Sequence, residues 1–289
     1  MIWFLYALSA AIFSAINRTL IKNAGTKSSD ITVTFSLYLF ASIPVLVMLP
    51  LITIPVIQTE FYPYVFLAAI SDIAGIIFMS KSLRLAPMGR AVPLLAFTPA
   101  ILLFTGFILV GEVPTLVGAV GVIIIVFGSY ILHLDTKQYS LIQPLKMLTT
   151  SPGARYMLGT ALCFSFTGPL YKQAILHSSP SFALIVGLPL SVLLIMLYQL
   201  FRKRTIRSLF PAKDNLKTLL FLGASVFIVA YSTNLAFSTG LVSYVISIKR
   251  LSIFFNILIG FFIFKEQDLG RNLLAASIMI GGATIIIFQ

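Results

Sequence analysis

Apolar segments long enough to cross a membrane follow one another along almost the whole chain. A hydrocarbon core of roughly 30 Å needs about 20 apolar residues in a helix, and a helix satisfies its own backbone polar groups within lipid. The sequence predicts ten transmembrane helices, at residues 2–21, 31–51, 62–83, 90–110, 114–133, 155–174, 181–201, 216–238, 241–264 and 270–288. The expected fold class is an all-α polytopic membrane protein.

Composition excludes an ordinary soluble domain. The 289 residues are 59% hydrophobic and 10% charged, whereas soluble domains average about 45–50% apolar and about 25% charged residues. Only the connections 134–154 and 202–215 are long, so no extramembrane domain is expected. The single cysteine, Cys163, excludes an intrachain disulfide.

The basic residues are distributed unevenly between the two faces that ten spans define. Of the twenty Lys and Arg residues, seventeen fall at one face, Lys172 falls at the other, and Lys249 and Arg250 lie within a span. Because Lys and Arg near span ends are retained in the cytoplasm, a multi-pass protein of the cell (cytoplasmic) membrane with both termini outside is predicted.

A short motif occurs near the ends of the fourth and ninth segments. GFILVGE, Gly106 to Glu112, matches GFFIFKE, Gly260 to Glu266, at a shift of 154 residues. Five spans per copy is an odd number, so the second copy is expected upside down in the membrane. The sequence predicts two inverted five-helix repeats, 1–135 and 154–289, joined by a linker at 136–153, which is a common plan of transporters.

Two adjacent cations lie inside the ninth predicted span. From Leu241, Lys249 lies about 12 Å along a helix that rises about 1.5 Å per residue, and Arg250 follows it. A charge at such depth costs several kcal/mol unless it faces a partner or water. Lys249, Ser252 and Asn256 share one helical face, which predicts a polar stripe against something hydrated or bound.

Asp72 is the only acidic residue inside a predicted span. A buried carboxylate is neutralised or paired, and pairing with one of the two cations would leave roughly one positive charge. An anionic substrate group would compensate that charge, since an Arg fork suits carboxylate or phosphate. The alternative is a structural triad that only orders the packing of helices.

Further polar side chains inside the spans are candidates for the same site. The predicted substrate-binding set is Lys249, Arg250, Asp72, Asn234, Asn256, Ser252, Tyr231, Asn17 and Tyr171. Each of the uncharged members could instead form a hydrogen bond between helices. Glu112 and Glu266, at the ends of spans, are expected to be solvated. Small residues in the fifth and tenth spans predict a packing seam away from the substrate.

Signatures of enzymes are missing from the sequence. It contains neither a paired intramembrane carboxylate nor a His/Glu metal cluster, and no phosphate-binding loop of the G-x-x-x-x-G-K-[ST] type. We therefore expect no catalysis, no metal, no cofactor and no nucleic-acid partner.

The two motifs TGFILVGEVPT and IGFFIFKEQDL, with Pro99 ahead of Glu112, resemble those of the drug/metabolite transporter (DMT) superfamily, specifically its EamA-type ten-helix members. The resemblance implies a cavity between helices 1, 3, 4, 6, 8 and 9 and alternating access by rocking helix pairs. The Lys249 and Arg250 pair is similar to the basic pair with which plastid sugar-phosphate translocators hold phosphate. The chain departs from the family at Ile253, the counterpart of Pro99, and in its predicted external amino terminus.

The expected function is that of a secondary transporter for a small polar, anionic metabolite bearing phosphate or carboxylate. Its partners would be that substrate and membrane lipids, with proton or counter-substrate coupling through Asp72 as a further hypothesis. One alternative is an exporter of amino acids or of cationic or amphipathic compounds, with Asp72 as the receptor. Another is a scaffold that binds lipid headgroups and transports nothing.

Overall fold

The computed structural model describes residues 2–25, 29–85, 92–132, 143–211, 213–252, 254–255 and 269–288, among which no β-strand occurs. Its α-helices, numbered in chain order, are α1 Ile2–Gly25, α2 Asp30–Met48, α3 Phe61–Leu85, α4 Thr98–Val110, α5 Leu116–Leu132, α6 Gln143–Thr150, α7 Pro152–Leu176, α8 Pro180–Phe201, α9 Lys213–Thr239, α10 Val242–Lys249 and α11 Leu269–Phe288. Short 3₁₀ helices cover Leu49–Leu51, Val92–Phe97 and Ile206–Leu209.

The helices have the length and the surface of membrane-spanning elements. Among the described residues, four helical segments are long and apolar enough to cross a membrane: Asp30–Leu51, Phe61–Leu85, Pro180–Phe201 and Leu216–Thr239. Shorter apolar helices cover Ile2–Asn17, Leu94–Val110, Leu116–Ile131 and Leu274–Phe288. Large apolar side chains such as Phe104, 71% exposed, and Phe221, 73% exposed, cover the outside. The protein is an all-helical polytopic membrane protein, and the count of ten spans stays a prediction.

Two predicted spans are interrupted where a single helix was expected. In the ninth, α10 ends at Lys249, and the Arg250 N–H donates to both Ile246 O at 3.1 Å and Ser247 O at 3.0 Å. In the fourth, the 3₁₀ helix Val92–Phe97 precedes α4. Pro99, in the first turn of α4, explains the second interruption, because its ring is tolerated at a helix start and not in a helix interior. The prediction of a continuous ninth helix was wrong at the turn after Lys249, whereas the interruption of the fourth lies at Pro93 and Pro99, two prolines that predict a bend there.

The interrupted turns match each other under the shift of 154 residues that relates the two motifs. Phe97, the last residue of the first 3₁₀ helix, corresponds to Leu251, whose N–H donates to Ile248 O at 2.9 Å in a 3₁₀-type bond. Ile253 and the second motif, Gly260 to Glu266, lie outside the described residues. The inverted relation of the halves, and their boundaries, stay predictions.

Packing between the halves is reciprocal. Helix α1 packs along α9, α7 packs along α3, and α5 pairs with α11. The α5 and α11 pair is held by close backbone approach: a Cβ atom on Gly282 would lie 2.7 Å from Gly121 O, and a Cβ atom on Gly121 would lie 2.9 Å from Gly282 O. The predicted packing seam is confirmed. With α5 and α11 beside each other, the remaining long helices are left to surround a central space.

Candidate functional site

A cavity of about 300 Å³ lies among α1, α2, α3, α7, α8, α9 and α10. Most of its lining is apolar, with side chains such as Leu37, Ile76, Phe164 and Phe237. The lining side chains that carry hydrogen-bonding or charged groups are Ser14, Asn17, Tyr38, Asp72, Thr167, Tyr171, Thr233, Asn234, Lys249, Arg250 and Ser252. The cavity therefore offers a few polar groups on largely apolar walls, the usual chemistry of a small-molecule site.

The acidic side of the cavity is formed by Asp72 on α3. Its Oδ2 atom accepts a hydrogen bond from the Tyr38 hydroxyl on α2 at 2.7 Å. Lys249, which lines the same cavity, is close enough to Asp72 for the two charges to interact. Burial away from water disfavours the ionised carboxylate, whereas the hydroxyl donor and the nearby cation both favour it.

The basic side of the cavity is formed where α10 ends. Lys249 is the last residue of α10 and Arg250 follows it as the C-cap, so the helix interruption sets both cations at a helix C-terminus. The last carbonyl groups of a helix carry a partial negative charge, which stabilises cations there. This explains how the chain tolerates two adjacent cations at this depth: the backbone turns at the pair, and both side chains line the cavity.

A glycine makes room for the aromatic part of the wall. A Cβ atom on Gly187 of α8 would lie 3.1 Å from both Cε1 and the hydroxyl oxygen of Tyr171 on α7. Both residues line the cavity. A larger residue at 187 would therefore push the Tyr171 ring out of its present place in the wall.

The structure brings seven of the nine predicted site residues to the cavity lining. Those that line it are Asn17, Asp72, Tyr171, Asn234, Lys249, Arg250 and Ser252. Asn256 lies outside the described residues. Tyr231 is not among the residues that line the cavity, although Ala230, Asn234 and Phe237 of the same helix are, and its contact with a substrate stays a prediction. Tyr231 instead stacks on Phe227, with ring centroids 6.0 Å apart.

Tyr38 is the important residue that sequence reasoning missed. It lies in the run TFSLYLF on α2, where a tyrosine resembles any other large core residue. Its hydroxyl becomes significant only through the 2.7 Å bond to Asp72. A buried carboxylate such as Asp72 needs a hydrogen-bond donor, and this need could have pointed to a residue like Tyr38. The sequence does not say which helix supplies the donor.

A second charged pair corrects another expectation. Glu112, expected to be solvated, is 9% exposed, and Lys172 is 8% exposed. Lys172 Nζ lies 2.5 Å from Glu112 Oε1. Within the otherwise exposed α4–α5 turn, the Glu112 side chain is covered by Lys172 of α7 and by the start of α10, and burial of its carboxylate makes the pairing necessary.

Metal binding has no support in the part of the chain that the structure describes. No group of three or more His, Cys, Asp or Glu side chains there could hold a metal ion. What the cavity residues can do chemically is bind charge: two cations and one carboxylate leave a formal charge of +1 among these three side chains.

Comparison with known proteins gives a family for part of the chain and a fold for all of it. Residues 1–134 match the EamA-like transporter family. A solved crystal structure covers 99% of this chain and 98% of its own length with a TM-score of 0.78, at 14% sequence identity. At that identity the likeness concerns the fold alone. No curated protein sequence matches the chain.

Proposed function

We propose that the protein is a secondary transporter for a small organic anion. The premise is that residues 1–134 match the EamA-like transporter family, which belongs to the DMT superfamily. The protein carries the anion through the central cavity by alternating access. The substrate has one carboxylate or phosphate group and an apolar body. The observation that carries the proposal is the pair Lys249 and Arg250, which lines a cavity with Asp72 as its acidic member.

The charge of the site supports an anionic substrate. With Lys249 and Arg250 charged and Asp72 ionised, these three described side chains have a summed formal charge of +1. A monoanion brings that sum to zero, and the planar guanidinium of Arg250 can hold two oxygens of one carboxylate or phosphate group. Binding then removes net charge from a region of low dielectric constant, where uncompensated charge is costly.

The walls support an apolar body on that anion. Phe164, Leu184, Leu188, Val226 and Phe237 line the cavity and offer no hydrogen bonds through their side chains. A hydroxyl-rich body such as a sugar would leave donors and acceptors without partners there, at about 1–3 kcal/mol for each group. An aromatic or branched body would instead gain about 25 cal/mol for each Å² of apolar surface buried.

Counterflow into proteoliposomes tests the function. The panel contains benzoate as an apolar carboxylate, glucose 6-phosphate as a polyhydroxylated phosphate and benzylamine as a cation. We expect the protein to exchange benzoate. Lys249→Met should reduce benzoate exchange by about 30-fold or more, because truncation of one member of a buried charge contact costs about 2 kcal/mol or more.

The matched control is Lys81→Met. Lys81 also lies on a membrane helix, α3, but its Nζ atom is 5.5 Å from the ring centroid of Tyr156 and it does not line the cavity. Its transport should stay near that of the parent protein. Full benzoate exchange in Lys249→Met, with Lys81→Met as the reference, would contradict the proposal.

One observation favours a second function, the export of amino acids or of cationic or amphipathic compounds. Asp72 is oriented by Tyr38 and lines the same cavity, so its carboxylate could receive an ammonium group. In that case Asp72→Asn would abolish benzylamine exchange while Lys249→Met would preserve it. Asp30→Asn is the matched control, because Asp30 does not line the cavity and forms an ion pair with Arg84. Stable co-purifying lipid without any exchange would indicate a scaffold instead.

A further inference from the structure

Outside the cavity, the described residues contain a buried ion pair, Glu112 and Lys172, that also binds the backbone of Gly240 and Val242. We call these four residues the clasp. Lys172 Nζ lies 2.5 Å from Glu112 Oε1 and donates to Gly240 O at 2.7 Å. The other oxygen of Glu112, Oε2, accepts the Val242 N–H at 2.8 Å. The clasp thus joins the α4–α5 turn, helix α7 and the α9–α10 turn.

The clasp lies just beyond one end of the cavity. Gly168 and Phe237 line the cavity. Lys172 follows Gly168 by about 6 Å along α7, and Gly240 follows Phe237 by about 4.5 Å at the end of α9. Val242 fills the step between clasp and cavity, because a Cβ atom on Gly168 would lie 2.9 Å from Val242 Cγ1. A solute leaving the cavity along α7 in this direction would meet the clasp.

Neighbouring bonds hold the α4–α5 turn down over this end. The Gln173 amide on α7 donates to Leu109 O, and the Thr115 N–H donates to the Tyr244 hydroxyl on α10 at 3.1 Å. Gly111, at φ 75°, lets α4 end in a left-handed turn that directs Glu112 inward, a conformation that glycine adopts with little strain. The turn is therefore built to deliver one carboxylate to a fixed point.

Stability alone does not account for the clasp. A buried ion pair often contributes no more than apolar residues of the same size would, because both charges lose their hydration. It does have one property that apolar packing lacks. When water enters, the attraction between the two charges falls steeply with the rising dielectric constant and both groups regain hydration, so the closed and the hydrated arrangements are both favourable.

We infer that the clasp is the gate at this end of the cavity: closed, it holds the α4–α5 turn, α7 and the start of α10 together, and it separates to let solute pass. The inference rests on the proposed transport function. It concerns residues that do not line the cavity. Opening would break three contacts: Lys172 to Glu112, Lys172 to the Gly240 carbonyl, and Glu112 to the Val242 N–H.

Thiol labelling tests the gate without any substrate. In a Cys163→Ser background, Thr167→Cys places a single thiol in the cavity wall, since Thr167 lines the cavity. A membrane-impermeant maleimide is added to one side of the proteoliposomes at a time. The separate variant Val113→Cys identifies the side of the clasp, because Val113 is 73% exposed in the α4–α5 turn.

Glu112→Gln and Lys172→Met should each raise the rate of labelling at position 167 from the clasp side by about tenfold, by shifting the gate towards its open state. The double variant should label no faster than either single one, because both remove the same contact. Asp30→Asn, which neutralises one carboxylate of the exposed pair with Arg84, should leave the rate unchanged.

Unchanged labelling in both single variants, with monodisperse protein and a cooperative thermal transition, would overturn the gate. So would additive effects in the double variant, which indicate general loosening. A protein that labels as expected but exchanges no organic anion would retain the gate and lose the proposed substrate. A protein that exchanges benzoate, but whose Glu112 and Lys172 variants label at the parent rate, would retain the proposed substrate and lose the gate.

Discussion

The two buried charged regions of this protein differ in how their charges are matched. In the clasp, the Glu112 carboxylate lies 2.5 Å from the Lys172 ammonium group. Lys172 also donates to the Gly240 carbonyl, and Glu112 also accepts the Val242 N–H. In the cavity, one carboxylate is held by a tyrosine at 2.7 Å while two cations line the same space of about 300 Å³. The two charges of the clasp cancel, whereas the three described charged side chains that line the cavity sum to a formal charge of +1.

This difference assigns the two regions different tasks. A neutral, tightly bonded pair can only join or separate, which suits closure. In the proposed function, a cavity with apolar walls, whose three described charged side chains sum to +1, suits the binding of an anion with an apolar body. Lys172 and Lys249 are therefore two intramembrane lysines whose loss should have opposite consequences for stability and transport.

The largest expected effect is on stability, from Lys172→Met. Removal of one partner from a buried ion pair leaves Glu112 uncompensated, at a cost of about 3 kcal/mol or more. The identical change at Lys249 should cost much less, because Asp72 keeps the Tyr38 hydroxyl and the charge of Arg250. Thermal or denaturant unfolding in one detergent measures both. Equal losses of stability would remove the distinction between clasp and cavity.

Next in size is the effect of Arg250→Lys on anion binding. The substitution keeps the charge and removes the planar fork, so a bidentate contact is lost. We expect affinity for benzoate to fall about tenfold, with stability nearly unchanged. Saturation of counterflow gives the affinity, and Arg202→Lys is the matched control because Arg202 is exposed at the end of α8. An unaltered affinity would show that Arg250 does not hold the anion through its fork.

A smaller effect is expected from Tyr38→Phe. The substitution removes the hydrogen bond that the Tyr38 hydroxyl donates to the Asp72 carboxylate, a contact worth about 1.5–3 kcal/mol with a charged acceptor. Asp72 then engages the cations more strongly and competes with the substrate, so anion affinity should fall severalfold. Tyr198→Phe, on the exposed end of α8, provides the comparison. An unchanged affinity would mean that Tyr38 does not set the charge available in the cavity.

The smallest effect is expected from Asp30→Asn. The Arg84 side chain in this pair is 59% exposed, and exposed ion pairs contribute about 0–1 kcal/mol. Unfolding measured at low and at high salt should show a loss below about 0.5 kcal/mol that salt further reduces. A loss comparable with that of Lys172→Met would show that exposure is not what separates the two pairs.

Much of this architecture was predictable because it follows from local chemistry. The lipid requirement for long apolar helices predicts the spans on which Asp72 and Lys249 lie, and the cost of buried charge identifies both as functional candidates. The interruption after Lys249 was not predictable in the same way. Whether a break is tolerated depends on which neighbouring groups donate hydrogen bonds to the freed carbonyls, and α10 contains no proline that would mark the turn in the sequence.

The clasp shows the same limit in a charged pair. Glu112 at the end of a span and Lys172 near the end of another each have the sequence environment of a solvated residue. They are far apart along the chain, and only the packing of α4 against α7 brings them together. Whether each residue faces water or protein is decided by how the helices pack in the assembled bundle.

By itself, the sequence determined that this protein is a helical membrane protein and that Lys249, Arg250 and Asp72 need partners, because hydrophobicity and the cost of buried charge are properties of single segments. Only the tertiary structure decided which partners these are, that Tyr38 joins them while Tyr231 does not, and that Glu112 is buried against Lys172. Those outcomes depend on helix rotation and on contacts between distant segments, which no local pattern specifies.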